Sequence, residues 1–190
     1  MKVWLLGDSI RLFYQKEVEK LLGADYEVFA PAENGRFSLY MLNSLRFWQN
    51  EFPAPDIIHF NAGLWDTAIL YWEDGCFIGL ADYVKNMTAV LRELKKTGAK
   101  IVFATTTPVS DAKAELCGPM PPAHKNDDIA RYNQAVLNAF AKEDLIVNDP
   151  FSAMYPERDR FLSDDMIHPN ADGVKLLGKL VADAIRKCGA

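Results

Sequence analysis

Short β-rich runs at residues 2–6, 26–30, 56–61, 100–105 and 145–148 alternate with longer segments at 11–22, 37–49, 78–96, 126–142 and 171–187, whose apolar residues recur at helical spacing. No other feature of the chain constrains its fold as tightly. Strands joined through helices run parallel, their crossovers are right-handed, and the helices then cover both faces of the sheet. The expected architecture is an α/β fold, a three-layer α/β/α sandwich around a five-stranded parallel sheet. The pattern is clearest in 78–96, where Leu80, Val84, Met87, Leu91 and Leu94 form one stripe and Lys85, Arg92, Glu93, Lys95 and Lys96 occupy other faces. Gly23 and Gly98 follow the first and third helical segments, where a left-handed cap is wanted.

A chain of 190 residues with 49% apolar content is expected to form one domain, residues 1–190, whose core needs neither disulfides nor a structural metal. Its 21 basic against 26 acidic residues leave a net charge of −5, with no basic stripe to displace counterions from phosphates. Nucleic acid and anionic membrane are therefore not expected partners. Cys76, Cys117 and Cys188 are odd in number, widely spaced and outside any CxxC pair, which fits a reducing compartment. The opening run 1–6 is too short for a signal-peptide core or a membrane span, so a cytoplasmic location is expected.

In a parallel α/β sheet, ligands bind beyond the carboxyl ends of the strands. The segments to inspect for chemistry are therefore 7–10, 31–36, 62–77, 106–125 and 149–169. The first holds Gly7-Asp8-Ser9-Ile10, which places a hydroxyl at a strand end and at the amino end of a helix, where amides and the helix dipole favour an oxyanion. The plain alternative is that Ser9 only caps that helix. Of three histidines, His59 lies inside an apolar strand and reads as a satisfied core residue, and His124 follows the Pro-rich stretch 118–122 with no acid at a fixed short spacing and reads as a solvated or rim residue. His168 differs from both. Asp165 precedes it by three residues, a turn spacing at which a carboxylate reaches the imidazole Nδ1–H and leaves Nε2 to accept a serine proton. Pro169 biases His168 toward an extended backbone, so the ring projects from the loop.

Gly7-Asp8-Ser9-Ile10 near one end and Asp165-Met166-Ile167-His168-Pro169 near the other resemble the first and last blocks of the GDSL, or SGNH, hydrolases. The resemblance frames most of the chain. It implies a flavodoxin-like SGNH hydrolase fold and a serine esterase, with Ser9 as nucleophile, His168 as base and Asp165 orienting the base. It also implies that Gly35, in Glu33-Asn34-Gly35-Arg36-Phe37-Ser38, gives a backbone N–H to the oxyanion hole beside that of Ser9; a plain turn glycine is the alternative. The third block departs from the family pattern. Gly63-Leu64-Trp65-Asp66 carries Trp65 where the family has an asparagine, and Asn61 is the nearest amide to stand in as oxyanion donor. Thr105-Thr106-Thr107-Pro108-Val109 and Arg131-Tyr132-Asn133 resemble the family's connecting elements.

The expected chemistry is acyl transfer through an acyl-enzyme on Ser9, which needs no cofactor and no metal and weakens in acid because an imidazolium cannot act as a base. The expected substrate is a small-molecule or carbohydrate ester. A short acyl group, such as an O-acetyl on a sugar, is favoured because no long apolar lid is evident. Arg36 and Trp65 are candidate substrate contacts, Arg36 having a surface salt bridge as its alternative, and Tyr71, Trp72 and Phe77 add aromatic surface to the same loop. Trp48 reads as core. Two other functions remain open: a non-catalytic binding module on the same fold, suggested by the missing asparagine, and metal-dependent phosphoryl transfer on Asp8, Asp66, Asp164 and Asp165.

Overall fold

The computed structural model describes residues 1–70, 75–110 and 124–189. Strands β1 (Lys2–Leu6), β2 (Glu27–Phe29), β3 (Ile57–Phe60), β4 (Lys100–Ala104) and β5 (Ile146–Asn148) form one sheet in the order β2-β1-β3-β4-β5. All four pairings are parallel, with Val3 opposite Val28 and Ile57, Ile58 opposite Ile101, and Phe103 opposite Val147. The doubly wound layers and the five-stranded parallel sheet agree with the alternation in the sequence. The strand order is also that of flavodoxin-like sheets, which reverse direction between β1 and β3 and open a crevice there.

Strand periodicity of two sorts the core into two halves. Val3, Leu5, Ile57 and Val102 pack on one face with Ile10, Tyr14 and Val18 of helix α1 (Ser9–Leu22) and Leu177, Val181 and Ile185 of helix α7 (Ala171–Gly189). Trp4, Leu6, Ile58, Phe60 and Phe103 pack on the other against helices α2 (Ser38–Glu51), α3 (Leu80–Lys95) and α4 (Asn126–Phe140). Trp48 of α2 lies in this second half, 2% exposed. Gly23 and Gly98 take φ of 68° and 76°, the left-handed region reserved for them by the sequence pattern.

Helix boundaries differ from expectation where side chains cap them. Asp8 takes an extended backbone and its Oδ1 accepts from the Ile10 amide at 3.0 Å, so α1 begins at Ser9 and not at residue 11. Residues 149–169, expected as a loop, contain helices α5 (Pro150–Met154) and α6 (Arg158–Phe161). Asp149 caps α5 by accepting from the Ser152 amide at 3.2 Å, and Pro150 stands at its start, where a missing N–H costs nothing. Among the described residues no helix is long and apolar enough to cross a membrane. Cys117, Tyr71, Trp72 and the Pro-rich stretch 118–122 lie outside the described residues.

Candidate active site

Ser9 occupies the first turn of α1 immediately beyond β1, beside the point where the strand order reverses. Because Asp8 performs the capping, Ser9 is the first helical residue, its hydroxyl is free of the helix, and its amide has no preceding helical carbonyl to bond. The cap reading of Ser9 is thereby replaced by Asp8.

The other half of the site is a tight loop between α6 and α7. Leu162 and Pro169 form an antiparallel bridge, the Ser163 amide donates to the His168 carbonyl at 2.8 Å, and Met166 closes the turn at φ 70°. Asn170 then caps α7, its Oδ1 accepting from the Asp172 and Gly173 amides at 3.0 and 3.1 Å. Inside the turn, Asp165 Oδ1 accepts from Ser163 Oγ at 2.7 Å and from the Ile167 and His168 amides at 3.0 and 2.9 Å. Its Oδ2 lies 2.7 Å from His168 Nδ1. Partial burial of Asp165 opposes ionisation, but the amides of His168 and Ile167, the His168 ring and the Ser163 hydroxyl outweigh it and hold the carboxyl well below the usual range.

His168 Nε2 lies 2.9 Å from Ser9 Oγ, although the two residues are 159 positions apart. Thus Ser9, His168 and Asp165, the three residues singled out in the sequence, stand in one line of hydrogen bonds. With Asp165 accepting the Nδ1 proton, Nε2 carries the lone pair that faces the hydroxyl. The Phe13 ring lies against the imidazole, centroids 4.8 Å apart and planes 20° from parallel.

Around this line several sequence expectations are rearranged. The Gly35 N–H donates to the Gly7 carbonyl at 3.0 Å, so in this arrangement it is not a free oxyanion donor. The reason is a backbone-to-backbone approach so close that a Cβ on Gly35 would stand 2.4 Å from the Gly7 oxygen. Asn61 is 6% exposed and packs its Oδ1 against Gly7, without a partner for that oxygen. The Arg36 guanidinium rests 4.8 Å from the Tyr40 ring centroid, a cation–π contact in place of the salt bridge, and it is Asn34 of the same turn that lines the cleft. Asn133 clamps the Thr106 backbone with both amide atoms, at 2.8 and 3.0 Å, and steadies the β4 exit.

Asp8 and Asp66 are fully buried, and burial pushes each carboxyl up to about 6. Asp66 accepts from the Ser38 amide at 3.1 and 3.0 Å and from Ser38 Oγ at 2.5 Å, tying the β3 exit to the start of α2. Three of the four acids of the phosphoryl-transfer reading are thus a helix cap, Asp8, an interelement brace, Asp66, and the His168 partner, Asp165, and among the described residues no group of three or more acidic, His or Cys side chains is placed to hold a metal ion. His59 is core, as expected, with Nε2 3.2 Å from Asn148 Nδ2, but its Nδ1 has no partner and burial pushes its pKa down to about 3.

A cleft of about 400 Å³ opens beside Ser9 and His168. Its wall is largely apolar: Phe37, Leu64, Trp65, Ala68, Leu70, Phe77 and Ile167, with His124. His124, half-buried, stands on this wall, which agrees with a rim position; burial pushes its pKa down to about 4 and its Nδ1 lies 3.5 Å from Thr67 Oγ1. A larger hollow of about 540 Å³, lined by Lys95, Lys100, Asp144 and Lys187, lies at the amino ends of β4 and β5, away from Ser9. Sequence reasoning missed Phe13, Asn34, Leu64 and Ile167 at the site. Only Phe13 carried a usable signal, its position four residues after Ser9 on one helical face.

Among curated proteins none matches the chain. Solved structures similar to it include the lipase/acylhydrolase from Enterococcus faecalis, with 22% identity, 98% of this chain and 95% of that chain covered, and a TM-score of 0.77. The acetyl xylan esterase AlAXEase superposes with a TM-score of 0.72 at 17% identity, covering 97% of this chain and 100% of its own. TesA superposes with a TM-score of 0.73 at 17% identity, covering 99% of each chain. These likenesses show that the fold is that of the SGNH hydrolases. The GDSL-like Lipase/Acylhydrolase family matches residues 6–176, nearly the whole span that holds the sheet, Ser9 and the 162–170 loop; the chain belongs to that family and is a carboxylic ester hydrolase.

Proposed function

We propose that this protein hydrolyses small carboxylic esters through an acyl-enzyme on Ser9, the chain acting as one SGNH-hydrolase domain. The observation that carries the reading is the unbroken line from Ser9 Oγ to His168 Nε2 at 2.9 Å and from His168 Nδ1 to Asp165 at 2.7 Å, on the edge of a cleft. Ser9 Oγ attacks the ester carbonyl while His168 Nε2 takes its proton; the proton then passes to the departing alcohol, and water repeats the route to release the acid. The developing oxyanion is met by the Ser9 N–H at the positive end of α1, with Asn61 as side-chain donor. No cofactor takes part. The odd number and wide spacing of the cysteines, outside any CxxC pair, favour a reducing, cytoplasmic setting in the same reading.

A short acyl group, such as an O-acetyl on a carbohydrate, fits the modest cleft and is the substrate of AlAXEase by its name. A second reading is favoured by the cleft wall itself. Phe37, Leu64, Leu70 and Phe77 gain from desolvating hydrocarbon and offer little to sugar hydroxyls, so an ester with a longer apolar acyl chain is the competitor.

One experiment addresses both. A fluorophosphonate should label Ser9, and Ser9→Ala should lower kcat by a factor on the order of 10⁴ or more; full Ser9→Ala activity defeats the Ser9 mechanism, and a parent that neither labels nor hydrolyses any ester leaves the binding-module reading. On acetyl, butyryl and octanoyl p-nitrophenyl esters, a maximum of kcat/KM at acetyl supports the short-acyl reading. A rise of about fourfold per methylene supports the apolar one, since each buried methylene contributes about 0.8 kcal/mol.

A further inference from the structure

The two hydrogen bonds of His168 leave its ring one freedom. Nδ1 is held by Asp165 at 2.7 Å and Nε2 by Ser9 at 2.9 Å, and these anchors lie on opposite sides of the imidazole. They fix the two nitrogens within the plane of the ring but oppose displacement out of that plane least, and a ring displaced that way bends both bonds and carries its Nε2 lone pair off the line to the serine proton. A flat surface against one face removes that motion. Phe13 supplies it, with a centroid separation of 4.8 Å and an interplanar angle of 20°.

We infer that Phe13 is a positioning residue for His168, holding the imidazole plane in register with the Ser9 hydroxyl. This rests on the esterase reading given above. Two observations and one physical argument support it. Phe13 is 48% exposed and absent from both buried clusters, so packing the interior does not account for its orientation. It stands four residues after Ser9 on the same face of α1, so the nucleophile and the ring stop belong to one rigid element and shift together when α1 shifts. The contact also strengthens as the reaction proceeds: when His168 takes the serine proton, the phenyl face meets a cation, which its quadrupole attracts more than it attracts the neutral ring.

The test compares the parent with Phe13→Leu, which keeps an apolar side chain of similar bulk without a flat face, and Phe13→Tyr, which restores the face. In Phe13→Leu, kcat should fall about tenfold and the rate of fluorophosphonate labelling by the same factor, with KM changed by less than about twofold, because misaligned proton transfer and not binding is affected. Phe13→Tyr should return both rates to within about twofold of the parent. Thermal midpoints of the two variants should agree, as expected for a half-exposed site. A Phe13→Leu variant with parental kcat and labelling rate overturns the inference, and so does a Phe13→Tyr variant as slow as Phe13→Leu. The proton NMR signal of the His168 ring between its nitrogens gives a readout independent of turnover. A stacked phenyl ring shifts it upfield, and Phe13→Leu should move it back; an unchanged signal means that no stack exists. A parent that neither labels nor turns over esters defeats the esterase reading and the positioning role with it, while the ring-current shift still decides whether Phe13 covers His168.

Discussion

Asp165 accepts four hydrogen bonds while half of its side chain remains in water, whereas Asp66, completely buried, accepts among the described residues from the amide and hydroxyl of Ser38. The donors around Asp165 more than offset its partial burial and keep it ionised. Those around Asp66 do not, and burial leaves that carboxyl at about 6. The difference separates two uses of one residue type. A carboxylate that must stay charged to hold an imidazolium is placed at a turn, where backbone amides converge and water still reaches it. A carboxylate that ties two elements together is sunk in the interior, where its charge is costly and its bonds are therefore sensitive to pH.

The comparison breaks most visibly at Asp165. Asp165→Asn turns an amide toward His168 Nδ1, which favours the tautomer with its proton on Nε2 and leaves no base for Ser9. Steady-state kinetics should show kcat lower by a factor on the order of 10³–10⁴ with KM little changed; a loss below about tenfold would mean that Asp165 does not orient the base.

Asp66 is probed through stability. Its folded pKa is raised from 3.8 to about 6, so between those pH values the folded state holds more proton than the unfolded chain. Stability from this group is therefore highest in acid and falls as pH rises, the penalty being complete above about 6. Denaturant unfolding of the parent should gain on the order of 1 kcal/mol relative to Asp66→Asn between pH 7 and pH 5, and parallel profiles would remove the assignment. Asp165 has the opposite sign. Its contribution is present above the ordinary carboxylate range and is lost only as pH falls below it, so it is silent within the same window. The smallest effect belongs to Asp164, the neighbouring acid, which makes none of the His168 contacts of Asp165. Asp164→Asn should leave kcat/KM within about twofold of the parent, and a large loss would shift the orienting role away from Asp165.

Particular residues show why some features were legible in the sequence. Asp165 and His168 lie three positions apart, so a local turn suffices to bring carboxylate and ring together, and sequence spacing reports on it directly. Strand β1 was read at its true bounds because Val3 to Leu6 are buried on both faces and form one continuous apolar run. The start of α1 was displaced because Asp8 caps it and not Ser9, a choice between adjacent polar residues that depends on backbone angles. Helix α5 was overlooked although Asp149-Pro150 is a start signal, since five residues are too few to show a helical period. The engagement of Gly35 by Gly7, the place of His124 on the cleft wall and the stacking of Phe13 on His168 each join segments distant in the chain, and no local pattern encodes them.

Alternating periods of two and 3.6 decided, without any tertiary information, that this chain forms a parallel sheet between helical layers and that its chemistry lies beyond the strand ends, because burying those apolar faces admits few other arrangements. Tertiary structure alone decided which amides remain free, which carboxylate is charged and what lines the cleft beside Ser9. Those properties depend on distances between groups far apart in the chain and on their exclusion from water, and both exist only once the layers have packed.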